Sequence, residues 1–260
     1  MTFTLEARDV SLRFGGLQAL DGVEIEVGEW EIVGLVGPNG AGKTTFLNVL
    51  TGIARPDQGR VRLRGADVTR VRPHRRVGMG MARTWQNLGV IPTLTALENL
   101  LAAQHAHVRY GAVGGMVGLP GTLLEERELV RNAEDILDFL GLFELRHEIV
   151  GDLPCGTQRL CDLAMALATD PTVLLLDEPS SGMGAEEGRR LGETLGLLRS
   201  ELNLTILMIE HHLPLVVDVC DFVYVLNFGR LVARGEPGAI QKHPDVVAAY
   251  LGEEADGATA

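Results

Sequence analysis

The fold of this chain is decided by one stretch, Gly37-Pro38-Asn39-Gly40-Ala41-Gly42-Lys43-Thr44-Thr45. It matches the pattern G-x-x-x-x-G-K-[ST], in which a glycine-rich loop wraps the phosphates of a nucleoside triphosphate. The glycines let the backbone curl so that amides point inward, and the helix that follows adds its partial positive charge. In this pattern Lys43 reaches the β- and γ-phosphates and the Thr44 hydroxyl binds Mg²⁺. The sequence therefore predicts a triphosphate site.

The segments on either side of this loop have the types that the pattern requires. Before it, Glu31–Val36 is a short apolar run of strand type. After it, Phe46–Thr51 has a helical pattern that ends at Gly52. A glycine-rich turn with a chance lysine is the alternative interpretation, and the order of strand, loop and helix argues against it.

Length, composition and charge narrow the class of protein. The 260 residues, of which 46% are hydrophobic and 22% charged, suit one globular domain with an inserted or appended subdomain. The formal charge of −12 argues against a nucleic-acid surface and against direct adsorption to anionic lipid. No apolar run approaches the ~20 residues of a membrane span, and the N-terminus has no signal-peptide pattern, so we expect a cytoplasmic chain. Cys155, Cys161 and Cys220 form no C-x-x-C pair, so we expect reduced, mostly buried thiols.

The first third of the chain is rich in short strands. Residues 3–36 alternate apolar and polar positions, with turns at Gly15-Gly16 and Gly28, which predicts an antiparallel β layer. A further strand is expected at Arg60–Arg64, and Gly80–Gln86 leads to another strand end. We therefore expect the antiparallel layer to lead into the strand that precedes the phosphate loop.

The middle of the chain turns helical before strands return. From Thr95 to about Phe143 apolar residues recur at helical spacing, interrupted from Gly111 to Gly121 by a stretch that we interpret as an exposed loop. Strands then alternate with helices, which predicts a parallel sheet with helices packed on it. The expected elements are helices at about Thr157–Ala168 and Glu186–Leu202, strands at Thr172–Leu176 and Leu204–Ile209, and a hairpin of Phe222–Leu226 and Arg230–Ala233 around Asn227-Phe228-Gly229.

Two carboxylates end one of these apolar strands. The run Val173–Leu176 leads directly into Asp177 and Glu178, as expected of a buried parallel strand whose carboxyl end faces a ligand. Asp177 would hold Mg²⁺ through its water shell, and Glu178 would polarise an attacking water. The alternative, a strand that ends in a charged turn, is weakened by the phosphate loop in the same chain.

With these motifs the chain resembles the ATP-binding subunits of ABC transporters over nearly its whole length. The resemblance implies an α/β fold: a P-loop NTPase core with a mixed or parallel sheet, an antiparallel β layer and an inserted helical subdomain. It implies one ABC ATPase domain over residues 1–252, with a RecA-like core at 1–86 and 152–235 and the helical subdomain at about 87–151. Residues 253–260 are then expected to be a disordered acidic tail.

The family's motifs occur here in the family's order, and the resemblance assigns a role to each. It implies that ATP is held by the whole loop Gly37–Thr45, which includes Pro38, Asn39, Gly40, Ala41, Gly42 and Thr45, with Mg²⁺ at Thr44, Asp177 and Gln86. Further motifs are Phe14 where an aromatic stacks on adenine, Gln86 in Arg83-Thr84-Trp85-Gln86-Asn87 as the glutamine loop, Leu153–Arg159 as the signature, Ser181–Gly184 as the dimer-contacting loop, and His211 as the switch histidine.

Three of these assignments compete with plainer interpretations. Gln86 would sense the γ-phosphate and Mg²⁺ and share the catalytic work with Lys43, although a single glutamine is usually a surface amide. His211 would contact the γ-phosphate and orient the water, although a single histidine is usually structural and His212 makes the register ambiguous. We favour His211 because the apolar run ends at Ile209. Phe14 would stack on adenine, although an aromatic residue in a strand is more often core.

The signature is where the chain departs from the family consensus L-S-G-G-Q. The serine is replaced by Pro154, which has neither a hydroxyl nor an N–H, and the glutamine by Thr157. Gly156 and the helix start remain, so backbone amides can still meet the phosphate of an opposite subunit. Gly184 stands where the dimer-contacting loop has aspartate or asparagine. Two hypotheses stay open: Pro154 slows the site that it completes, or the backbone amides suffice and both sites work.

Local strings are similar to the ATPases of branched-chain amino acid importers. The implied partners are a second ABC ATPase subunit in a homo- or heterodimer, integral membrane permease subunits and, indirectly, a solute-binding protein, with no nucleic acid. The chain would lie on the inner face of the membrane through the permeases. Urea, short amides and other hydrophilic solutes stay open, because other chains select the solute. The strings are Leu12–Leu20, Arg83–Asn87, Ile209–His212 and His243–Gly252.

Two other functions compete with the importer ATPase. In the first, Pro154 and Gly184 mark a degenerate partner that binds ATP, turns it over rarely and regulates a heterodimer. In the second, the chain is a soluble ABC protein of DNA repair or translation. The single nucleotide domain and the acidic charge disfavour this second interpretation.

Overall fold

The computed structural model describes residues 3–104, 120–211, 213–244 and 246. These described residues group into two units, one formed by those up to residue 86 together with those from residue 172 onward, and the other by those between residues 87 and 171. The sequence suggested a return to the first unit at residue 152. The helix at Cys155–Leu167 is grouped with the second unit because its buried residues Cys161 and Ala164 belong to that unit's core.

The first unit contains two sheets and the elements that bear the predicted motifs. Its first part consists of β1 (Phe3–Phe14), β2 (Leu17–Gly28), β3 (Ile32–Val36), α1 (Lys43–Thr51), β4 (Gln58–Leu63), β5 (Ala66–Asp67), α2 (Pro73–Val77) and β6 (Met81–Arg83). The second unit supplies α3 (Ala96–Ala103), α4 (Pro120–Phe139) and α5 (Cys155–Leu167), with 3₁₀ turns at Phe143–Leu145 and Val150–Asp152. The first unit resumes with β7 (Val173–Asp177), α6 (Ala185–Leu202), β8 (Thr205–Ile209), α7 (Leu213–Val219), β9 (Phe222–Asn227), β10 (Arg230–Gly235) and α8 (Pro237–Ile240).

One sheet is antiparallel and the other is mixed. Within the described residues the first has the order β2-β1-β4-β5, which confirms the predicted antiparallel layer. The second has the order β10-β9-β3-β8-β7-β6, and its strands pair in parallel except for the β9–β10 hairpin. Strands β3, β7 and β8 are buried at every position, which is why they read as continuous apolar runs. The carboxyl ends of the parallel strands therefore lie side by side at the same end of the sheet.

Helix α1, which follows the phosphate loop, is fixed at both ends. It starts at Gly42 and stops at Gly52, whose positive φ of 79° gives the left-handed turn that ends a helix. Beneath this end lies the buried guanidinium of Arg76, which donates to the carbonyls of Val49 (2.9 Å) and Leu50. Burial lowers the pKa of Arg76 to about 10, so the group is still charged at neutral pH and suits the helix C-terminus.

The second unit has its own apolar core. Helix α3 begins with a capping box in which Thr95 and Glu98 each accept a backbone amide from the other, and the bonds from Thr95 lower the pKa of Glu98. One turn later Asn99 is fully buried and donates to three carbonyls of the preceding turn, so it fixes the entry to the helix. The core is formed by Ala96, Leu100, Ala133, Leu137, Leu142, Val150, Cys161, Ala164 and Ala168.

Most predicted elements are present with small shifts at their ends. The glycine-rich loop predicted at 111–121 falls mainly outside the described residues, and its predicted end was wrong because Pro120 and Gly121 already belong to α4. The predicted acidic tail at 253–260 also lies outside them. Cys161 and Cys220 are buried, as expected, whereas Cys155 is exposed. No helix in the described part of the chain is long and apolar enough to cross a bilayer.

Candidate nucleotide-binding site

The phosphate loop links the carboxyl end of β3 to the start of α1. Gly37 has φ 150° and Gly42 has φ 103°, so both occupy backbone conformations that favour glycine. A Cβ at Gly37 would lie 2.0 Å from the carbonyl oxygen of Leu226, and one at Gly42 would lie 2.8 Å from that of Ala19. A Cβ at Gly40 would meet no atom within 4 Å, which leaves the crest of the loop open.

Lys43 closes the loop on itself. Its side chain is buried and its Nζ donates to the carbonyl oxygens of Gly37 (2.6 Å) and Pro38 (2.8 Å). Asn39, Gly40 and Thr44 are exposed along the loop and at the start of α1, whereas Ala41 is buried and Thr45 is half-buried. The exposed positions lie beside the open crest, where a ligand has access.

Asp177 ends β7 in a buried ion pair that the sequence interpretation did not include. Its side chain is 3% exposed, and its Oδ2 lies 2.7 Å from Nη2 of Arg83, which is 5% exposed. Arg83 ends β6, the strand paired with β7, and its Nη1 donates to Oδ1 of Asn48 on α1 at 2.7 Å. The carboxylate that was predicted for Mg²⁺ is therefore connected through one guanidinium to the helix that follows the phosphate loop.

Glu178 and Gln86, two predicted catalytic residues, are in contact. The Gln86 Nε2 donates to Oε2 of Glu178 at 3.1 Å, although the two residues are 92 positions apart. Glu178 has φ 51°, an unusual value for a residue with a side chain, and its amide donates to the carbonyl of Ile209 at 3.0 Å. The tertiary structure thus holds Glu178 in a strained conformation between the ends of β7 and β8.

His211 follows β8 and is exposed, and its neighbour Glu210 is the more constrained residue. Glu210 is 0% exposed, and its carboxylate accepts the amides of Ser180 (2.8 Å) and His211 (3.2 Å). One buried side chain therefore ties the segment after Glu178 to the segment that bears His211. The competing candidate, His212, lies outside the described residues.

Phe14 is the last residue of β1 and is 56% exposed, opposite Leu17 of β2. The alternative that it is a core residue was therefore wrong, and the side chain is open to a ligand. The loop residues and the strand-end residues Asp177, Glu178, Gln86 and His211 also belong to the first unit.

The signature segment belongs to the second unit. Pro154 is the N-cap of α5 and makes no side-chain capping bond, whereas Gly156 is buried in the first turn. Gln158 donates from its backbone to the carbonyl of Pro154 at 2.9 Å, so the helix starts regularly without the serine of the consensus. In the first unit Gly184 is the N-cap of α6, where its amide donates to Oε2 of Glu187 at 3.0 Å.

The arrangement fits a triphosphate with a hydrated Mg²⁺. The loop leaves no room for a Cβ at Gly37, is open at Gly40 and is followed by the exposed Thr44 at a helix N-terminus. Among the described residues no group of three His, Cys, Asp or Glu side chains could hold a metal ion. Mg²⁺ keeps several waters and is bound partly by substrate phosphates, so it needs few ligands from the protein.

The sequence is similar to known proteins over most of its length. The family model described as ABC transporter matches residues 20–181, and a relative from Pseudomonas aeruginosa, the high-affinity branched-chain amino acid transport ATP-binding protein BraF, is 40% identical over 96% of this chain and 98% of its own. The chain belongs to the ABC transporter family. A second model, branched-chain amino acid ATP-binding cassette transporter, matches residues 230–256 of this ABC ATPase subunit.

Other relatives and solved structures agree with this assignment. The ATP-binding protein LivG of Escherichia coli K12 is 39% identical over 96% of this ABC ATPase and 98% of its own length. A crystal structure of an ATP-binding cassette of an ABC transporter in its ADP conformation has a TM-score of 0.85 at 32% identity, covering 97% and 99% of the two chains. A nucleotide-free cassette gives 0.84 at 31% identity, covering 96% and 99%.

Two constrained residues of this ABC ATPase, Arg83 and Glu210, were given no role in the sequence interpretation. The signal that identified Asp177 and Glu178 was a polar residue at the carboxyl end of an apolar strand. The same signal holds for Arg83 after Met81-Ala82 and for Glu210 after Ile209. For Glu210 the signal helped only to set the register of His211. The partners of both residues depend on which strands are neighbours in the sheet, and the sequence does not show that.

Proposed function

We propose that this chain is the ATP-binding and ATP-hydrolysing subunit of an importer for branched-chain amino acids or a related small hydrophilic solute such as urea or an amide. The solute class is supported by the match over residues 230–256 and by the names of the relatives. The hydrolytic role is carried by one observation, the contact of Gln86 with Glu178 beside the buried Asp177. We further propose that residues 1–252 form one ATPase domain.

In this proposal the loop Gly37–Thr45 binds the phosphates of ATP. Lys43, which donates to the loop carbonyls of Gly37 and Pro38, turns its Nζ toward the β- and γ-phosphates when they arrive. Thr44 and Asp177 would hold Mg²⁺, with Gln86 as a further contact. When bound, the metal neutralises charge that develops on the transferred phosphoryl group. Phe14 stacks on the adenine through its exposed ring.

Hydrolysis in this proposal depends on residues at the ends of three strands. Glu178 accepts a proton from the attacking water, and the Gln86 amide holds its carboxylate in place. His211 hydrogen-bonds the γ-phosphate and orients the water. The backbone amide of His211 donates to the carboxylate of Glu210, and this bond holds the backbone from which the histidine side chain extends.

The complete site is proposed to need a second subunit. Gly156 and the amides at the start of α5 would meet the γ-phosphate held by the partner, as the family's signature does. Permease subunits would dock near Gln86, and a solute-binding protein would act through them. The chain would then work in the cytoplasm, on the inner face of the membrane, as a homo- or heterodimer.

Purification of the intact complex tests this function. We expect mass spectrometry to identify permease subunits with the chain, and we expect ATP hydrolysis in proteoliposomes to rise when a binding protein loaded with leucine is added. Urea with its cognate binding protein is the matched alternative. Stimulation by urea and not by leucine would transfer the proposal to an amide importer, whereas purification without permeases would contradict the transport role.

A second candidate function is a regulatory subunit that binds ATP and rarely hydrolyses it. It is favoured by Pro154, which makes no side-chain cap at the start of α5. The two candidates differ in the turnover of a complex in which only this subunit carries Glu178→Gln. A catalytic subunit loses its share of the hydrolysis, and a regulatory subunit leaves the rate unchanged.

A further inference from the structure

Arg83 forms an ion pair with Asp177, the last residue of β7 and the carboxylate that is predicted to bind Mg²⁺. Both side chains are almost fully buried, and Nη2 lies 2.7 Å from Oδ2. The backbone supports the same geometry, since the amide of Asp177 donates to Oγ1 of Thr84 at 3.4 Å and the amide of Thr84 donates to the carbonyl of Leu175. The carboxylate is therefore held both through its side chain and through its backbone.

The same guanidinium contacts two other parts of the site. Its Nη1 donates to Oδ1 of Asn48, which lies on α1 one turn after Thr44. Its Cζ lies 4.3 Å from the ring centroid of Trp85, the residue before Gln86, as in a cation–π contact. One side chain thus joins the phosphate-loop helix, the β7 carboxylate and the segment that carries the glutamine.

Stability alone does not explain this arrangement. A buried ion pair commonly contributes little to the free energy of folding, because desolvation of both charges offsets their attraction. Here the Nε of Arg83 is also buried without a hydrogen-bond partner among the described residues, which adds a further cost. Arg83 reaches Asn48 and Asp177 through two different nitrogens, Nη1 and Nη2, that the planar guanidinium holds at a fixed spacing. The three donors of a lysine share one nitrogen, so a lysine does not reproduce this geometry.

We propose that Arg83 is a positioning residue that orients Asp177 for Mg²⁺ by tying its carboxylate to α1 through Asn48. The inference rests on the proposed function, in which Thr44 and Asp177 both contribute to the metal site. Arg83 acts through these residues and does not itself touch the nucleotide. Arg83 connects α1, which carries the Thr44 hydroxyl, to the Asp177 carboxylate. Loss of Arg83 therefore reduces the gain in nucleotide affinity that Mg²⁺ gives, and it changes the affinity without Mg²⁺ much less.

The test is the affinity of the full chain for ADP, measured by calorimetry with Mg²⁺ and again with EDTA. The ratio of the two dissociation constants reports the metal's contribution, and general damage to the fold changes both constants. We expect the wild type to bind ADP more tightly with Mg²⁺ than with EDTA. In Arg83→Lys the ratio of the two dissociation constants should fall about tenfold. The dissociation constant in EDTA should stay within about twofold of wild type. Arg189→Lys, which alters the exposed pair with Glu186, is the matched control and should leave the ratio unchanged.

Asn48→Ala supplies a second measurement that does not depend on the folding of the arginine variant. It breaks the bond to α1 and leaves the ion pair, so we expect a smaller fall of the same ratio. In the double variant the two effects should not add, because both break one link. An unchanged ratio in either single variant, or full additivity, overturns the inference and leaves the proposed function standing. A wild type without any Mg²⁺ effect contradicts the metal assignment itself and the inference with it.

Discussion

The phosphate loop and the strand-end residues hold one proposed ligand, yet they are built in opposite ways. The loop is a continuous segment whose shape comes from glycine backbone at Gly37 and Gly42 and from carbonyls that Lys43 contacts. The strand-end site combines side chains from β6, β7 and β8 that are far apart in sequence. The loop is therefore sensitive to added atoms, whereas the strand-end site is sensitive to charge and hydrogen bonding.

The largest expected effect concerns the strand-end site. Glu178→Gln removes the carboxylate that accepts the proton of water, so we expect the ATPase rate of the assembled complex to fall roughly 10²–10⁴-fold. ATP affinity should stay near that of wild type, because the phosphate loop is untouched. Single-turnover hydrolysis and equilibrium binding of ATP measure the two quantities. Retention of most of the hydrolysis would remove Glu178 from the catalytic role.

The next effect compares two glycines within the loop. Gly37→Ala places a Cβ against the carbonyl of Leu226 at a positive φ, so we expect it to lower the free energy of unfolding by about 2–4 kcal/mol. Gly40→Ala is the matched control, because its φ of 75° is also positive but its Cβ would meet no atom within 4 Å. It should cost only about 1 kcal/mol. Urea unfolding measures both, and equal losses would show that backbone packing does not shape the loop.

The smallest effect concerns Glu210, which joins two strand ends. Glu210→Gln leaves one acceptor oxygen for two amides, those of Ser180 and His211, so we expect a loss of about 1–3 kcal/mol in the free energy of unfolding. The ATPase rate should fall as well, since His211 is no longer fixed at its backbone. Glu187→Gln is the control, because that carboxylate also accepts a backbone amide but is exposed. Equal changes in the free energy of unfolding and in the ATPase rate for the two variants would contradict the expectation that the buried Glu210 joins the two strand ends.

Much of the fold could be predicted because its signals are local. The apolar runs of β3, β7 and β8, the helix stop at Gly52 and the turn of the β9–β10 hairpin each follow from a few adjacent residues. The start of α4 at Pro120 was missed because proline and glycine commonly mark loops, while proline is also favoured in the first turn of a helix. The grouping of α5 with the helical unit was missed because it depends on which core receives Cys161 and Ala164.

The sequence by itself determined the phosphate loop, because one continuous segment contains both the glycines that shape it and the lysine that lies across it. It also determined that Asp177 and Glu178 end a buried strand. Only the tertiary structure decided the partners of those carboxylates: Arg83 forms an ion pair with Asp177, and Gln86 donates a hydrogen bond to Glu178. It also decided that Glu210 accepts the amides of Ser180 and His211. The physical reason is that parallel pairing of β6, β7 and β8 brings the ends of distant strands together, and no local pattern encodes which polar residues then meet.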